Sequence, residues 1–305
     1  MKPAHVLLAV LVAAIWGVNF VVIDVGLDDF PPLLFSALRF LLAAVPAVFF
    51  VGPPRVAWRW VVIVGIVLGV LKFSFLFIGM HIGMPPGLAS LVLQSQAAFT
   101  VLFAAVLLRE QPRVAQLGGM AIAAAGIVLV GLRLGATAPV VGFLLVIVAA
   151  VCWGLSNVAT RRASPPDMFR FMVWVSLVPP VPLLVLSLLF EGAGKDLAAL
   201  RSMTPSGAAA TVYVAWVATL LGYAVWGHLI KVHGATPVAP YALLIPVFGL
   251  AAAALFRDEP VTMVTVVAAV LVIAGIAIGA VRPGRPRLLP VASVTGQDRV
   301  PAETN

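Results

Sequence analysis

The sequence has few charged residues and almost no cysteine. Only 10% of its 305 residues are Asp, Glu, Lys or Arg, whereas an average soluble domain has about a quarter. So few charges cannot cover the apolar surface of a chain that is 63% hydrophobic. Cys152 is the single cysteine, which excludes an intrachain disulfide. The composition therefore excludes a soluble, a disordered and a disulfide-stapled protein, and it indicates a polytopic α-helical membrane protein.

Long apolar runs dominate the chain. A run of about 20 apolar residues is long enough to cross a bilayer as a helix. The first run is too long for the apolar core of a cleaved signal peptide, so we predict that it is a membrane helix. The predicted fold is all-α with ten transmembrane helices, which span residues 5–26, 32–51, 60–82, 86–108, 115–132, 139–160, 168–190, 208–230, 237–256 and 261–281.

The positive charges lie between the apolar runs. The formal net charge is +8, and its distribution favours lipid headgroups over nucleic acid as the anionic partner. With a cytoplasmic N-terminus, thirteen Lys and Arg fall inside, four fall outside, and Arg39 and Lys72 fall within the membrane. This asymmetry follows the positive-inside rule and supports an even number of spans. We predict that both termini are cytoplasmic and that the apolar-poor tail, residues 282–305, is disordered.

The two halves of the chain share a set of landmarks. Chance identity in a chain rich in Ala, Gly and Val is the alternative, but most of the landmarks recur at the same offset of 149 residues. Each half holds five predicted spans, and an odd number inverts the second half relative to the first. We therefore predict two inverted repeats, residues 5–132 and 139–281, an arrangement found in many secondary transporters. The landmarks pair Trp16-Gly17 with Trp153-Gly154, Phe99 with Phe248, Glu110 with Glu259, and Gly126 with Gly275.

Several stretches resemble the drug/metabolite transporter superfamily, of the EamA type. They are residues 16–20 (WGVNF), 38–40 (LRF), 83–96 (GMPPGLASLVLQSQ), 222–227 (GYAVWG) and 238–249 (VAPYALLIPVFG). Within the superfamily they are most similar to bacterial exporters of O-acetylserine and cysteine. The resemblance implies two five-helix repeats, a place in the bacterial inner membrane, and export of amino acids or their derivatives. Export of other drugs or metabolites is the alternative.

Two cations lie deep in the predicted spans. Arg39 is near the middle of the second span and Lys72 near the middle of the third, with no Asp or Glu at matching depth. A charge at that depth costs about 2.5–3.5 kcal/mol, so we expect each side chain to face a cavity or a partner. A substrate carboxylate fits, because arginine binds it in bidentate fashion. The alternatives are that Arg39 binds backbone carbonyls near Pro46, and that Lys72 is neutral or snorkels.

Buried amides and aromatic rings complete the predicted substrate-binding set. The amides can both donate and accept hydrogen bonds, which suits an amino-acid backbone or an acetyl ester. The rings can wall or gate a pocket. The alternatives are amides that hold helices together and aromatics that mark the membrane interface. These residues are Asn19, Gln94, Asn157, Trp16, Tyr223, Trp226 and Tyr241.

Motifs of catalysis are missing from the sequence. It has no His-Glu-x-x-His, no Cys/His metal spacing, no P-loop and no deep pair of carboxylates. We therefore predict no catalytic residue, no metal and no cofactor, and secondary or facilitative transport with the proton as a possible coupling ion. An intramembrane enzyme and a channel are the competing classes, although no filter-like motif of a channel is present. The sequence predicts no oligomeric state.

Overall fold

The computed structural model describes residues 1–134 and 140–280, and within these ranges all regular secondary structure is helical. Lipid offers the backbone no hydrogen-bond partners, so apolar runs of this length form helices. The predicted tail, residues 282–305, lies outside the described residues. The helices are α1 (Pro3–Asp29), α2 (Pro32–Val48), α3 (Trp58–His81), α4 (Pro86–Leu107), α5 (Val114–Leu134), α6 (Val140–Ala163), α7 (Met168–Arg201), α8 (Pro205–His233), α9 (Ala235–Val238 continued by Ala239–Phe256) and α10 (Met263–Ala280).

Ten helices agree with the predicted number of spans. In the described ranges nine are long and apolar enough to cross a membrane, and the tenth, α2, has 17 residues. At 1.5 Å per residue α2 is about 26 Å long, slightly shorter than the hydrocarbon core of about 30 Å. Large apolar side chains such as Leu102, Val181 and Leu189 are exposed on the outer surface. That surface would be costly in water and suits lipid.

Contacts between helix ends fix the direction of the helices. We call the side on which α1 begins the N face and the other side the opposite face. At the N face His5 of α1 hydrogen-bonds His233 at the end of α8. At the opposite face Arg257, which follows α9, pairs with Asp24 near the end of α1. Helices α1 and α8 are therefore antiparallel, and α1 and α9 run in the same direction.

The fifth helices of the two halves, α5 and α10, pack closely through repeated glycines. Gly126 of α5 lies against the backbone of Ala268 in α10, and Gly275 of α10 lies against the backbone of Gly119 in α5. Both pairs are related by the same offset of 149 residues. They are therefore two copies of one contact, in which the missing side chain lets two helices approach.

The first helix of each half crosses the fourth helix of the other half. Gly17 of α1 packs against Phe248 of α9, and Gly154 of α6 packs against Phe99 of α4. The Trp-Gly pairs and the phenylalanines of the sequence repeat therefore meet across the boundary between the halves. This exchange of contacts explains why both landmarks recur.

Several helices depart from α geometry. Helices α3 and α8 contain π-helical segments at Gly65–Lys72 and Tyr213–Leu221, and such segments are frequent at functional sites. Helix α9 contains a 3₁₀ stretch, Ala239–Leu244. Helix α7 turns at Gly192 (φ 94°), close to the predicted end at residue 190. A further helical segment, Ala193–Arg201, follows this turn.

Candidate functional site

A cavity of about 340 Å³ lies between the two halves of the molecule. Helices α1 to α4 line it from the first half, and α6 to α9 from the second. Eight of the nine predicted substrate-binding residues line it. They are Trp16, Asn19, Arg39, Lys72, Gln94, Asn157, Tyr223 and Trp226.

Tyr241 does not line this cavity. It packs beside Leu229 and Val238, in a small cluster with residues of α1 and α8. Tyr241 lies in the 3₁₀ stretch of α9. This stretch changes the directions of its side chains, and the apolar sequence of the span does not predict it.

Arg39 is 4% exposed and incompletely hydrogen-bonded. Its Nη2 donates to the Thr219 hydroxyl over 2.9 Å, and that hydroxyl donates to the Val214 carbonyl in the π-helical segment of α8. Its Nε and Nη1 are buried without a hydrogen-bond partner. No Asp or Glu is among the described residues that line the cavity. Two nitrogens of a buried guanidinium are therefore available to an acceptor that the protein does not supply.

Lys72 is 5% exposed and lies against aromatic rings. Its Nζ is 3.4 Å from the ring centre of Phe73 and 4.8 Å from that of Trp153. The guanidinium carbon of Arg39 is 3.9 Å from the same Phe73 ring centre. The faces of aromatic rings attract cations. Phe73 thus contacts both cationic groups and brings them together in the cavity.

Aromatic side chains form one wall of the cavity. The ring centre of Trp16 lies 5.5 Å from that of Tyr223 and 5.2 Å from that of Trp226. The indole nitrogen of Trp16 donates to the Ala218 carbonyl in the π-helical segment of α8 over 2.8 Å. The wall is therefore fixed by a hydrogen bond as well as by packing, and it joins α1 to α8.

The amides divide into two kinds. Asn157 Nδ2 donates to Gln96 Oε1 over 2.8 Å and so joins α6 to α4. Gln94 Nε2 donates to the Ala242 carbonyl over 3.3 Å and joins α4 to α9. Asn19 Oδ1, by contrast, is buried without a partner. Asn157 and Gln94 thus hold helices together, and Asn19 keeps an unused acceptor.

Two residues of this site, Thr219 and Phe73, gave no signal in the sequence, and a third, Gln96, lies outside the predicted substrate-binding set. Thr219 holds Arg39, Phe73 lies against both cations, and Gln96 accepts from Asn157. Phe73 and Thr219 are compatible with lipid, so their presence in an apolar span does not mark them as residues of a site. Gln96 is a polar residue in the stretch most typical of the family, which marks it in the sequence as a candidate for substrate contact.

The cavity extends toward the N face. Its lining includes Thr160 and Met168, which flank the connection between α6 and α7. On the other side the lining stops at residues such as Ile23 and Ser90, about one turn or more from the ends of their helices. The geometry is that of a cavity open to the N face and closed at the opposite face.

Polar contacts join the two halves at the opposite face. Arg257 Nε donates to Asp24 over 2.5 Å, and its Nη2 donates to Asp28 over 2.7 Å. Partial burial lowers the pKa of Arg257, but the hydrogen bond to Asp28 and the charge of Asp24 raise it by more, so this pKa lies above its usual value. Glu259 accepts from backbone N–H groups in the first turn of α4. These contacts close the end of the cavity that faces away from the N-terminus.

Comparison with known proteins gives matches over nearly the whole chain. The EamA-like transporter family matches twice, over residues 4–132 and 140–280. A probable amino-acid metabolite efflux pump of Escherichia coli (strain K12) is 39% identical over 275 residues, 88% of this chain and 92% of that protein. A protein of the same description from Salmonella typhimurium is 42% identical over the same coverage. One solved structure, at 23% identity, aligns with a TM-score of 0.62 over 91% of this chain and 96% of that one, which shows the fold alone. The chain belongs to the EamA-like transporter family, and its structure is the ten-helix, two-repeat fold of that family.

Proposed function

We propose that the protein exports amino acids or their derivatives by alternating access, as a secondary or facilitative carrier in the bacterial inner membrane. One observation carries the proposal: Arg39 and Lys72 are buried together in a cavity whose described lining has no Asp or Glu. Buried charges need a partner, so a ligand with an anionic group is favoured. The relatives described as amino-acid metabolite efflux pumps support a substrate that carries a carboxylate.

In the proposed complex the substrate carboxylate meets Arg39 and Lys72 near the middle of the membrane. The free nitrogens of Arg39 supply charge-assisted hydrogen bonds, which are roughly twice as strong as neutral ones. The substrate amino group meets Asn19 Oδ1, the unused acceptor, and the face of Trp16. A volume of about 340 Å³ suits a small metabolite. Cysteine and O-acetylserine are the substrates that the sequence resemblance favours.

We place the N face in the cytoplasm. The excess of Lys and Arg on that side supports this orientation by the positive-inside rule. The cavity described here would then load from the cytoplasm, as export requires. The two repeats, residues 5–132 and 139–281, would exchange conformations to open the other side.

Efflux from proteoliposomes tests the proposal. Vesicles that contain the purified protein are loaded with labelled cysteine or with cysteamine, which lacks only the carboxylate, under reducing conditions. We expect saturable efflux and counterflow for cysteine and at least tenfold slower efflux for cysteamine. Equal rates for the two compounds would contradict carboxylate recognition. Non-saturable flux would indicate a channel, and a new product would indicate an enzyme. An imposed pH gradient in the same assay tests the proton as coupling ion.

A further inference from the structure

Glu259 and Glu110 occupy equivalent positions in the two repeats and have different partners. Glu259 accepts from the backbone N–H of Gly87 over 2.8 Å and from that of Leu88 over 3.2 Å. It therefore caps the start of α4, where unpaired N–H groups and the helix dipole favour a carboxylate. Glu110 pairs instead with Arg161. The equivalent of the α4 start is the start of α9, residues 235–238.

The two carboxylates are presented by the same backbone turn. Arg109 (φ 55°) and Asp258 (φ 51°) adopt the left-handed conformation directly before Glu110 and Glu259. In each copy the glutamate backbone N–H donates to the carbonyl six positions earlier, over 3.3 Å and 3.2 Å. The turns are therefore alike, and the difference lies in the partner of each carboxylate.

Burial shows that the starts of α4 and α9 are in different environments. Ser90 and Leu91 of α4 are 1% and 0% exposed, whereas the equivalent residues of α9, Ala239 and Pro240, are exposed. The first turns of α4 are thus packed into the closed opposite face. Val238 in the first turn of α9 is buried against α1 and α8, and the exposed residues Ala239 and Pro240 follow it at the N face. These two equivalent positions of the repeats are therefore buried in α4 and exposed in α9.

We propose that these two glutamates are exchanging helix caps that close the two faces in turn. Glu259 caps α4 when the opposite face is closed, and Glu110 leaves Arg161 to cap the start of α9 when the N face is closed. Pro237, at the position equivalent to Leu88, has no N–H, so the donors to Glu110 are the N–H groups of residues 235 and 236. The inference rests on the proposed function, because an alternating-access carrier needs both states. It adds the residues that stabilise each state.

Glu110 and Glu259 contribute differently to the stability of the state described here. The side chains of Glu110 and Arg161 are 50% and 52% exposed, and an exposed ion pair contributes little stability. A carboxylate that accepts two backbone N–H bonds at a closed face contributes more. Removing the Glu110 charge therefore hardly affects the state described here and destabilises the alternative one. Removing the Glu259 charge destabilises the state described here.

Cysteine labelling tests the proposal. In a Cys152→Ser background, Ala239→Cys reports on the N face and Ser90→Cys on the opposite face, and both react with a membrane-impermeant maleimide when exposed. Because Ser90 also lines the cavity that reaches the N face, the maleimide for Ser90→Cys is added from the opposite face alone. Without further change we expect Ala239→Cys to react from the N face and Ser90→Cys to be protected. Glu259→Gln is expected to raise the labelling rate of Ser90→Cys from the opposite face at least fivefold and to lower that of Ala239→Cys.

Glu110→Gln is expected to have the reverse effect. Ser90→Cys stays protected, Ala239→Cys labels at least as fast as before, and flux falls at least fivefold because the N face no longer closes. Arg161→Gln is the matched control: it removes the present partner of Glu110 but not the cap, so labelling and flux stay within twofold of wild type.

Two results would overturn the proposal. One is Glu259→Gln with a labelling pattern like wild type, and the other is Glu110→Gln with wild-type flux. If Glu259→Gln fails to accumulate in the membrane, the Glu110→Gln flux decides alone. Labelling is measured without substrate, so a negative labelling result does not contradict carboxylate recognition. Equal efflux of cysteine and cysteamine, in turn, does not contradict the exchange of helix caps.

Discussion

At the scale of single residues, Arg39 and Lys72 form a cation pair that neighbouring side chains of α3 and α8 contact. Phe73 lies against both Arg39 and Lys72, and Thr219 holds one end of Arg39. These neighbours reduce the cost of burying two like charges without neutralising them. In the proposed function, the substrate carboxylate supplies the compensation.

Replacing Phe73 tests the contribution of its ring. Phe73→Leu keeps an apolar side chain but removes the cation–π contact of both charges, each of which contributes about 0.5–2 kcal/mol. We expect KM for cysteine to rise about fivefold to thirtyfold in the proteoliposome assay. Phe75→Leu, in the same helix and outside the cavity lining, is the control and should leave KM unchanged. An equal effect of both substitutions would show that only packing was lost.

Asn19 is the residue that should recognise the amino group. Asn19→Ala removes the unused Oδ1 acceptor, and the loss of a hydrogen bond to a charged group costs about 1.5–3 kcal/mol. We expect the variant to bind cysteine at least tenfold more weakly but to bind its deaminated analogue, 3-mercaptopropionate, as wild type does. Competition for labelled cysteine measures both affinities. A parallel loss for the two compounds would exclude amino-group recognition by Asn19.

At the scale of helices, close packing depends on the glycines that recur in the two repeats. Gly119 is buried against the backbone of Gly275, whereas its neighbour Gly118 has open space around it. We expect Gly119→Ala to destabilise the protein by about 1–3 kcal/mol, because the added methyl group meets backbone that cannot move aside. Gly118→Ala should be neutral or slightly stabilising. Thermal unfolding in detergent compares the two, and equal midpoints would contradict the described α5–α10 contact.

The sequence predicted the features that carry a large energetic cost and missed those that do not. Ten spans follow from the length of the apolar runs. Arg39 and Lys72 could be found because a charge in lipid needs an explanation. The π-helical segments of α3 and α8 and the hydrogen bond from Arg39 to Thr219 arise from packing between helices distant in sequence. Composition and periodicity do not report such contacts.

At the scale of the whole molecule, the two repeats are alike in sequence and unlike in environment. The opposite face is closed by Arg257 with Asp24 and Asp28 and by Glu259, while the cavity reaches the N face. An inverted repeat gives each contact a counterpart at the other face. If the protein works by the proposed alternating access, the second state is built by exchanging contacts and needs no new kind of interaction.

The charge of the cavity should also select among substrates. Two buried cations without a described acidic residue in the lining repel a ligand of net positive charge, because like charges interact strongly at low dielectric. We expect lysine and arginine to compete with labelled cysteine at least tenfold less well than neutral amino acids of similar size, such as methionine and glutamine. Comparable competition by cationic and neutral amino acids would argue against two charged groups at the site.

The most direct test of carboxylate recognition is the affinity of variants that lack one cation. Arg39→Gln and Lys72→Gln remove the buried charges, and Arg59→Gln makes the same change at an exposed position of α3 outside the cavity. Binding of labelled cysteine to purified protein is measured for each variant. We expect a Kd about 10- to 100-fold higher for both cavity variants and an unchanged Kd for Arg59→Gln. Wild-type Kd values for both Arg39→Gln and Lys72→Gln would contradict carboxylate recognition.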